Sequence, residues 1–234
     1  MTQRVLRCAA AMVALFLTIP TAPADAYVPV TTVVTDSVDV GAAALAANAA
    51  AAGLRNEVLD LALRAHARVL AEGRSSSPLL TVIDYSLPSR ERRLWVLDTE
   101  KGTVLERELV AHGNRTGGDV ATAFSNRAGS NQSSLGTFVT GKTYTGKHGK
   151  SLRLHGLDAG LNDLAFDRAI VVHGADYVNE GIIAQLGRLG RSQGCPALSP
   201  AASARIIDMI KDGSVVFSYH PSAAPEFETH LASR

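Results

Sequence analysis

Seven short runs of β-forming residues follow Pro78, and they restrict the possible folds of this chain more than any other feature. The runs are LLTVIDYSL, RRLWVLD, TVLERELVAHG, LGTFVTGKTY, SLRLHGL, RAIVVHG and GSVVFSY. Each is rich in Val, Leu, Ile, Tyr or Phe, and Gly, Asn and Ser residues separate them. Few helical segments lie between them, which disfavours a parallel α/β sheet. The sequence therefore predicts a mainly β, α+β domain with helices at its edges.

Two helices are marked on either side of these strands. Between residues 54 and 70, leucine, valine and alanine recur at helical spacing, and Gly73 provides a stop signal. Near the C-terminus, Ser199 has the properties of an N-cap and Pro200 occupies the first helical position. The second helix is predicted to continue through AASARIIDMIK and to end near Gly213.

The first 26 residues have the composition of a secretory signal peptide. Arg4 and Arg7 precede an apolar run that is too short to span a bilayer, and Ala24-Asp25-Ala26 forms a small-x-small cleavage site. We predict cleavage after Ala26, export to the periplasm, and no transmembrane segment in the mature chain. The predicted divisions are a signal peptide (1–26), an N-terminal extended and helical segment (27–75), a main domain (76–220) and a C-terminal tail (221–234).

The Val/Thr-rich residues 27–40 and the alanine-rich run GAAALAANAAAAG after them have no single interpretation. Their composition fits a linker as well as a packed helix. A long polar segment, residues 113–134, lies between two predicted strands. Loops of this length are usually either functional or mobile, and both possibilities remain open from the sequence.

Removal of residues 1–26 leaves a chain with one cysteine and no net charge. Lys+Arg falls from 23 to 21 without Arg4 and Arg7, and Asp+Glu falls from 22 to 21 without Asp25. This balance provides no electrostatic basis for binding nucleic acid. Cys195 has no partner for an intramolecular disulfide, so in an exported protein it indicates intermolecular pairing or a reactive thiol.

Small and polar residues surround this cysteine in GRLGRSQGCPALSP. A nearby base or a positive environment would favour the thiolate and make it a nucleophile. Gly194 would allow a substrate to approach the backbone, and the amides of Gln193, Gly194 and Cys195 are candidates for an oxyanion hole. The alternative is a buried and unreactive thiol.

Three of the seven histidines end a β-like run and precede a glycine: His112, His155 and His173. His173 follows the most apolar run and is closest in sequence to Cys195, so we predict that it is the base. A structural role remains the alternative for each histidine. A zinc site is the competing use of these residues, but the chain has no HExxH, no closely spaced histidine pair and no CxxC. We therefore predict no metal.

Several segments resemble, in order, the L,D-transpeptidase catalytic domain of the YkuD-like cysteine enzymes of bacterial cell walls. AIVVHGADYV and GRLGRSQGCPAL match the strand-borne His-Gly and the Ser/Thr-x-Gly-Cys motifs of that family. VIDYSLPSRERRLWVLD, VAHGN, FSNRAGSNQSSLGTF and YTGKHGKSLRLHGLDAGLND are similar to the murein L,D-transpeptidase branch. The resemblance runs from about Leu79 to Val216. It implies an L,D-transpeptidase-like β-sandwich or barrel and a catalytic role for residues 76–220.

The resemblance implies catalytic roles for four residues. Cys195 corresponds to the nucleophile and His173 to the general base, and Ser192 and Gly194 are the serine and glycine of the cysteine motif. Gln193 stands where histidine is frequent in the family, which removes any role for a second histidine at that position.

Recognition of the substrate is less well matched to the family pattern. Pro196-Ala197 replaces a residue followed by Arg or Asn, so the expected side chain for a substrate carboxylate is missing. We expect Arg191 or Arg188 to take its place. The polar loop is expected to form part of the cleft. Further substrate contacts are expected from Gly174, Asn126, Ser134 and His155.

The activity implied by the resemblance is acyl transfer on peptidoglycan stem peptides. Cys195 would attack the diaminopimelate carbonyl ahead of a terminal D-Ala, and transfer of the acyl group to a second stem would form a 3→3 cross-link. Transfer to water would instead make the protein an L,D-carboxypeptidase or endopeptidase. A non-catalytic wall-binding module is the alternative from another class. Carbapenem-type β-lactams are expected to be covalent inhibitors, and no cofactor is implied.

Overall fold

A computed structural model describes residues 34–232, and the predicted signal peptide lies outside these residues. Within them the chain forms five α-helices and eight strands. The helices are α1 (Val34–Ala51), α2 (Asn56–Ala71), α3 (Glu180–Leu186), α4 (Pro200–Ile210) and α5 (Ala224–Ala232). The strands are β1 (Leu79–Asp84), β2 (Arg92–Asp98), β3 (Thr103–Leu109), β4 (Gly136–Gly146), β5 (Gly149–Gly156), β6 (Val171–Gly174), β7 (Ala197–Leu198) and β8 (Val215–Tyr219).

All eight strands belong to one mixed sheet with the order β3-β2-β1-β8-β4-β5-β6-β7. The β1–β8 and β6–β7 pairs are parallel and the other pairs are antiparallel. Ala111, two residues after β3, pairs with Ala197 in β7, and its amide donates to the Ala197 carbonyl at 2.8 Å. The two ends of the sheet thus meet, and the sheet is nearly closed into a barrel. The predicted mainly β, α+β fold is confirmed.

Each of the seven predicted β-like runs corresponds to one strand, in the order β1 to β6 and then β8. β7 was not predicted, because it has only two residues and lies in the cysteine segment. Parallel pairing with β6, which joins His173 to Ala197 and Gly174 to Leu198, holds it in the sheet. This pairing ties the cysteine segment to the strand that carries the predicted base.

The N-terminal residues from Val34 onward are helical and pack on the sheet. In α1, Leu45 and Ala49 are buried, and the Asn48 side-chain amide donates to the Gly102 carbonyl at 2.7 Å. The alanine-rich run is therefore a packed helix, because its small side chains allow close approach to the β2–β3 turn. No helix among the described residues is long and apolar enough to cross a membrane.

The two predicted helices correspond to α2 and α4. Along α2 one face is buried: Val58, Leu59, Ala62, Ala65, His66 and Val69. Ser199 caps α4 as predicted, since its hydroxyl accepts from the Ala202 amide, and Pro200 is the first helical residue. Burial of Ile206, Ile207 and Ile210 then fixes α4 beside β5 and β6.

The segment expected to be a C-terminal tail contains an ordered helix. Phe227 of α5 is buried, and its ring lies 5.2 Å from that of Phe217 and 5.9 Å from that of Tyr219. On the outer side, Glu228 forms an ion pair with Arg64 of α2 at 2.6 Å. The last described residues therefore belong to the folded domain, because one aromatic side chain completes the core over β8.

Candidate active site

One open cleft of about 680 Å³ has both Cys195 and His173 in its lining. Its walls come from four parts of the chain that are distant in sequence: the polar loop, the β4–β5 hairpin, β6 with the residues that flank it, and the segment 191–195. The polar loop contributes Asn114, Gly129 and Asn131. The closure of the sheet brings these parts together at one end of the barrel.

Ser192 holds the turn that presents the cysteine. Its hydroxyl donates to the Cys195 carbonyl at 2.6 Å and accepts from the Gly194 amide at 3.1 Å, and its amide donates to the His112 carbonyl at 2.9 Å. Gly194 has a φ of +122°, and a Cβ there would lie 2.8 Å from the Gln132 carbonyl oxygen, so other residues are strained at this position. The serine and the glycine of the motif therefore act on the shape of the turn.

The Cys195 sulfur is partly exposed to the cleft and lies 3.6 Å from the Ala169 carbonyl oxygen, to which the S–H donates. Burial raises the pKa of this thiol above its ordinary value. Hydrogen bonding from the Val171 amide and the positive charges of Arg168 and Lys147 oppose that rise without cancelling it. The resting cysteine is therefore a neutral thiol near pH 7.

His173 is held by its neighbours on both sides of β6. It pairs with Ser151 of β5 and with Ala197 of β7, and its Nδ1 lies 2.9 Å from the Gly174 carbonyl oxygen. Because a carbonyl only accepts hydrogen bonds, Nδ1 carries the hydrogen and Nε2 has a free lone pair. Burial lowers the pKa of His173, so the ring is neutral near pH 7 and can accept a proton.

The resting pair of Cys195 and His173 is thus neutral on both sides, which differs from the predicted thiolate. Burial disfavours both charged forms: at Cys195 it outweighs the opposing positive charges of Arg168 and Lys147, and at His173 the neighbouring side chains lower the pKa further. In the described part of the chain no hydrogen bond joins the sulfur to the His173 ring, although both border the same cleft. The arrangement suits general-base catalysis, in which the proton leaves sulfur as the nucleophile attacks.

The predicted oxyanion hole is only partly available. The Gly194 amide already donates to the Ser192 hydroxyl, so it is not free to bind a substrate oxygen. The Cys195 amide lies against its own sulfur, where it helps to lower the thiol pKa. A carbonyl carbon bonded to that sulfur would bring its oxygen close to this amide, which makes it the better donor. Gln193 is exposed at the cleft.

The sequence analysis did not identify His148, which stacks on the predicted base. Its ring centroid lies 4.4 Å from that of His173, with 28° between the planes. His148 and Lys147 form the two-residue turn of the β4–β5 hairpin, between Gly146 and Gly149. Both side chains lower the pKa of His173 through their positive charges. In the sequence only the turn TGKHGK marked this position, and nothing indicated what the turn faces.

Arg168 was also not predicted, and it joins the polar loop to the cysteine. Its guanidinium donates to four oxygens of that loop: the Ser125 and Gln132 carbonyls and the Ser130 and Ser134 hydroxyls. The same cation lies close enough to Cys195 to oppose the rise of the thiol pKa. Arg168 therefore shapes the cleft and supplies positive charge to it.

The two arginines expected to bind a carboxylate lie in different places. Arg191 lines the cleft, where one guanidinium nitrogen donates to the Gly117 carbonyl at 2.8 Å and to the Asn114 carbonyl at 3.3 Å. Its other donors remain available. Arg188 donates to the Leu189 carbonyl at 2.7 Å and does not line the cleft. Arg191 is the arginine in position to meet a substrate.

Asn126 and Ser134 lie outside the cleft lining, in contacts that shape its surroundings. The Asn126 amide donates to the Asp163 carboxylate at 2.6 Å, which ties the polar loop to the segment after β5. The Ser134 hydroxyl donates to the Ser125 carbonyl at 3.1 Å and accepts from Arg168. Neither side chain is free for the substrate contact expected of it, because each is already hydrogen-bonded within the protein.

The three strand-end histidines have separate environments. His112 is fully buried, and its Nδ1 accepts from Arg93 at 2.7 Å. Its Nε2 faces the Gly117 and Gly118 carbonyls without a well-oriented hydrogen bond. Burial and the neighbouring Arg93 lower its pKa to about 4.

The positions of His155 and Gly174 also differ from those expected of residues that contact the substrate. His155 is exposed on the outer side of β5 and stacks on Phe166, away from the cleft lining. Gly174 acts through its carbonyl, which holds the His173 ring. Among residues 34–232, no three His, Cys, Asp or Glu side chains are grouped as metal ligands would be.

Comparison with known proteins identifies the family of this chain. The family model described as the L,D-transpeptidase catalytic domain matches residues 50–219. A comparison with curated proteins finds no match.

Among solved structures, an L,D-transpeptidase from Mycobacterium smegmatis is 16% identical, with 62% of this chain and 59% of that chain covered and a TM-score of 0.39. One from Xylanimonas cellulosilytica is 21% identical (65% and 68%, TM-score 0.36). L,D-transpeptidase 3 from Mycobacterium tuberculosis, in complex with a faropenem-derived adduct, is 14% identical (61% and 60%, TM-score 0.38). The chain thus spans about three fifths of the length of most of these proteins. Because the family model covers most of the chain, the protein belongs to the L,D-transpeptidase catalytic domain family.

Proposed function

We propose that this protein is an exported cysteine L,D-transpeptidase that acts on peptidoglycan stem peptides. The observation that carries the proposal is the shared cleft of Cys195 and His173, in which the thiol is accessible and the Nε2 lone pair is free. Membership of the L,D-transpeptidase family supports the reaction class. Of the residues that the structure describes, those lining the cleft include Lys147, Arg168 and Arg191 and no Asp or Glu, which supports an anionic substrate.

In the proposed first half-reaction, the Cys195 sulfur attacks the carbonyl of the diaminopimelate L-centre ahead of the terminal D-Ala. The thiol proton passes to Nε2 of His173, and the oxyanion is held by the Cys195 amide. Collapse of this intermediate breaks the amide bond, and His173 gives its proton to the departing amine of D-Ala. A thioester on Cys195 remains.

In the second half-reaction, the side-chain amine of another stem attacks the thioester. His173 accepts a proton from this amine and returns it to the sulfur as the thioester breaks. The product is a 3→3 cross-link, and the free enzyme is restored. Arg191 is proposed to bind the terminal carboxylate of the donor, in place of the side chain that Pro196-Ala197 lacks.

The direct test is incubation of the purified mature protein with disaccharide-tetrapeptide, followed by mass spectrometry of the products. We expect released D-Ala and cross-linked dimers, and we expect both to disappear in Cys195→Ala. Shortened tripeptide monomers alone would reassign the protein as an L,D-carboxypeptidase. If Cys195→Ala kept wild-type activity, the cysteine mechanism would be wrong.

A carbapenem provides a second test of the nucleophile. We propose that the Cys195 thiol opens the β-lactam ring and forms a thioester, so the protein gains the full mass of the inhibitor because no atom leaves. Cys195 is the only cysteine after residue 26, which makes the site of the adduct unambiguous. An adduct that persists in Cys195→Ala would contradict the proposal.

Export rests on the predicted signal peptide and is part of the proposal. N-terminal sequencing of the protein purified from the bacterial envelope is expected to begin at Tyr27. A chain that retains Met1 and stays with the cytoplasmic fraction would contradict export and would leave the catalytic proposal standing.

A further inference from the structure

Three exposed rings and a half-buried arginine lie on the outer side of the β4–β5 hairpin, and we call Tyr144, Arg153, His155 and Phe166 the aromatic platform. The rings of His155 and Phe166 are stacked, with centroids 4.9 Å apart and 13° between the planes. The Arg153 guanidinium lies 4.7 Å from the centre of the Tyr144 ring and 5.2 Å from that of Phe166. The three rings and the cation therefore form one continuous surface.

The large apolar side chains of this surface are exposed to solvent to an unusual degree. Phe166 is 45% exposed and Tyr144 is 37% exposed, and the neighbouring Leu164 is 43% exposed. Contiguous apolar surface of this kind commonly marks a binding site in a soluble protein. In addition, the Arg153 guanidinium contacts the Tyr144 and Phe166 rings and forms no hydrogen bond or ion pair with the residues that the structure describes, so its N–H donors are available to a ligand.

The aromatic platform is continuous with the catalytic cleft at two points. Tyr144 belongs to both, since it also lines the cleft. Phe166 is two residues before Arg168, which lines the cleft together with Ala169. A ligand that occupies the cleft and extends over its rim on this side would meet Phe166 and Arg153.

The proposed substrate extends from the reacting carbonyl along the stem peptide to a sugar. A stem peptide joins the diaminopimelate residue to a sugar through two further residues, and an extended chain spans at most about 3.3–3.6 Å per residue. With the diaminopimelate residue itself, three residues separate the reacting carbonyl from the sugar, so the two lie at most about 10 Å apart.

We propose that the aromatic platform binds the glycan strand of peptidoglycan, an inference that rests on the proposed function. One face of a pyranose ring consists of C–H groups, and these fit the part of the Phe166 ring that His155 and Arg153 leave exposed. The hydroxyl and acetamido oxygens of the sugar accept hydrogen bonds from Arg153. A flat aromatic surface beside available hydrogen-bond donors is suited to binding a sugar, whereas binding of a peptide helix would require a groove.

The test compares two donors that differ only in the sugar, a disaccharide-tetrapeptide and the free tetrapeptide. We expect the wild-type protein to have the lower KM for the donor that carries the disaccharide. Phe166→Ala is expected to raise that KM by about 2–10-fold, the equivalent of one aromatic stacking contact, and to leave the KM for the free tetrapeptide unchanged. Equal KM values for the two donors in the wild-type protein would overturn the proposal.

Two further variants separate stacking from general damage. Phe166→Tyr retains a ring and is expected to keep the wild-type ratio of the two KM values. Leu186→Ala removes a side chain that is 55% exposed on α3 and is expected to leave both KM values unchanged. Loss of the sugar preference in Leu186→Ala, or its retention in Phe166→Ala, would count against the aromatic platform.

A binding measurement distinguishes this inference from the proposed reaction. Glycan strands from which an amidase has removed the stem peptides are titrated into Cys195→Ala by calorimetry, with Phe166→Ala/Cys195→Ala as the matched control. Binding that requires Phe166 supports the platform even if no donor is turned over, in which case the transpeptidase proposal alone fails. Turnover of both donors without any binding of the stripped glycan refutes the platform and leaves the reaction standing.

Discussion

Burial keeps the thiol and the imidazole of the candidate site uncharged. The pKa of Cys195 is raised and that of His173 is lowered, in each case chiefly by burial. A stored thiolate would react with any electrophile, whereas a neutral thiol becomes reactive only when a bound substrate and the neutral His173 meet it together. Reactivity of the Cys195 thiol therefore depends on a substrate being bound in the cleft.

The acidic side of the pH profile is expected to report the protonation of His173. Because its pKa lies below the ordinary 6.5, the rate of Cys195 acylation by a carbapenem should decline only at pH values under that figure. His148→Gln removes the electrostatic effect by which His148 lowers the pKa of His173, so the decline should move to higher pH. His220→Gln, outside the cleft lining, is the control. An unchanged profile in His148→Gln would show that the stacked ring does not influence the base.

Arg191 is expected to act on substrate affinity. Arg191→Gln should raise KM for a tetrapeptide donor by about 10-fold or more, because hydrogen bonds to charged groups contribute roughly 1.5–3 kcal/mol. Arg188→Gln, whose arginine lies outside the cleft lining, is the matched control and should have the wild-type KM. Steady-state kinetics on both variants measure the effect. Equal KM values for the two variants would exclude Arg191 as the carboxylate ligand.

Secondary-structure elements decide which of the predicted site residues meet. His112, His155 and His173 each end a β-like run before a glycine, so the sequence alone could not separate them by position. Their positions along the strands separate them: His173 pairs with Ala197 in the cysteine segment, whereas His155 lies four residues along β5 from Ser151, the residue that pairs with His173, and is outside the cleft lining. The strands themselves were predictable from their Val, Leu and Ile content, since local composition determines them.

The contacts made by the loops were not predictable in the same way. Arg168 and His148 gain their roles from chain segments about 20 to 45 residues away, and no local pattern encodes such distances. Asn126 and Ser134 were expected to lie in the cleft because the polar loop that contains them was expected to form part of it. Other residues of that loop do line the cleft. Instead, the Asn126 side chain bonds to Asp163, and the buried Ser134 hydroxyl has Arg168 as a partner, as buried polar groups require.

Arg168 is expected to keep the polar loop in place. Arg168→Lys retains the charge beside Cys195 but cannot donate to four oxygens at once, so amide hydrogen exchange in residues 125–134 should become faster. The KM for tetrapeptide should rise as the cleft wall loosens. Arg205→Lys, an exposed arginine paired with Glu106 and Glu108, is the control. Wild-type exchange in Arg168→Lys would contradict this role.

The domain as a unit depends on its C-terminal helix. Phe227→Ala removes a buried ring from between α5 and β8 and should lower the free energy of unfolding by about 3–5 kcal/mol. Phe166→Ala makes the same substitution at an exposed position and should change it by less than about 1 kcal/mol. Urea denaturation of the two variants provides the comparison. A small effect at Phe227 would mean that α5 is not part of the core.

The stability of the domain is also expected to depend on pH through His112. Its pKa is about 4 in the folded protein and about 6.5 when unfolded, so its contribution is complete above pH 6.5 and is lost as the pH falls toward 4. The loss amounts to about 3 kcal/mol. His112→Gln keeps an acceptor for Arg93 without titrating, so its stability should fall less between pH 7 and pH 4 in denaturant titrations. Parallel declines in the two proteins would contradict this assignment.

The meeting of Ala111 with Ala197 has a consequence for when the protein is competent to react. A second bridge joins Gly113 to Ser192, so the seam of the barrel runs through the segment that carries the cysteine. If these two bridges broke, the Cys195 sulfur would lose its fixed position, while the buried leucines and valines elsewhere remained packed. Catalytic activity therefore requires the closed barrel. A chain whose barrel has not yet closed, or has begun to open, is expected to be inactive.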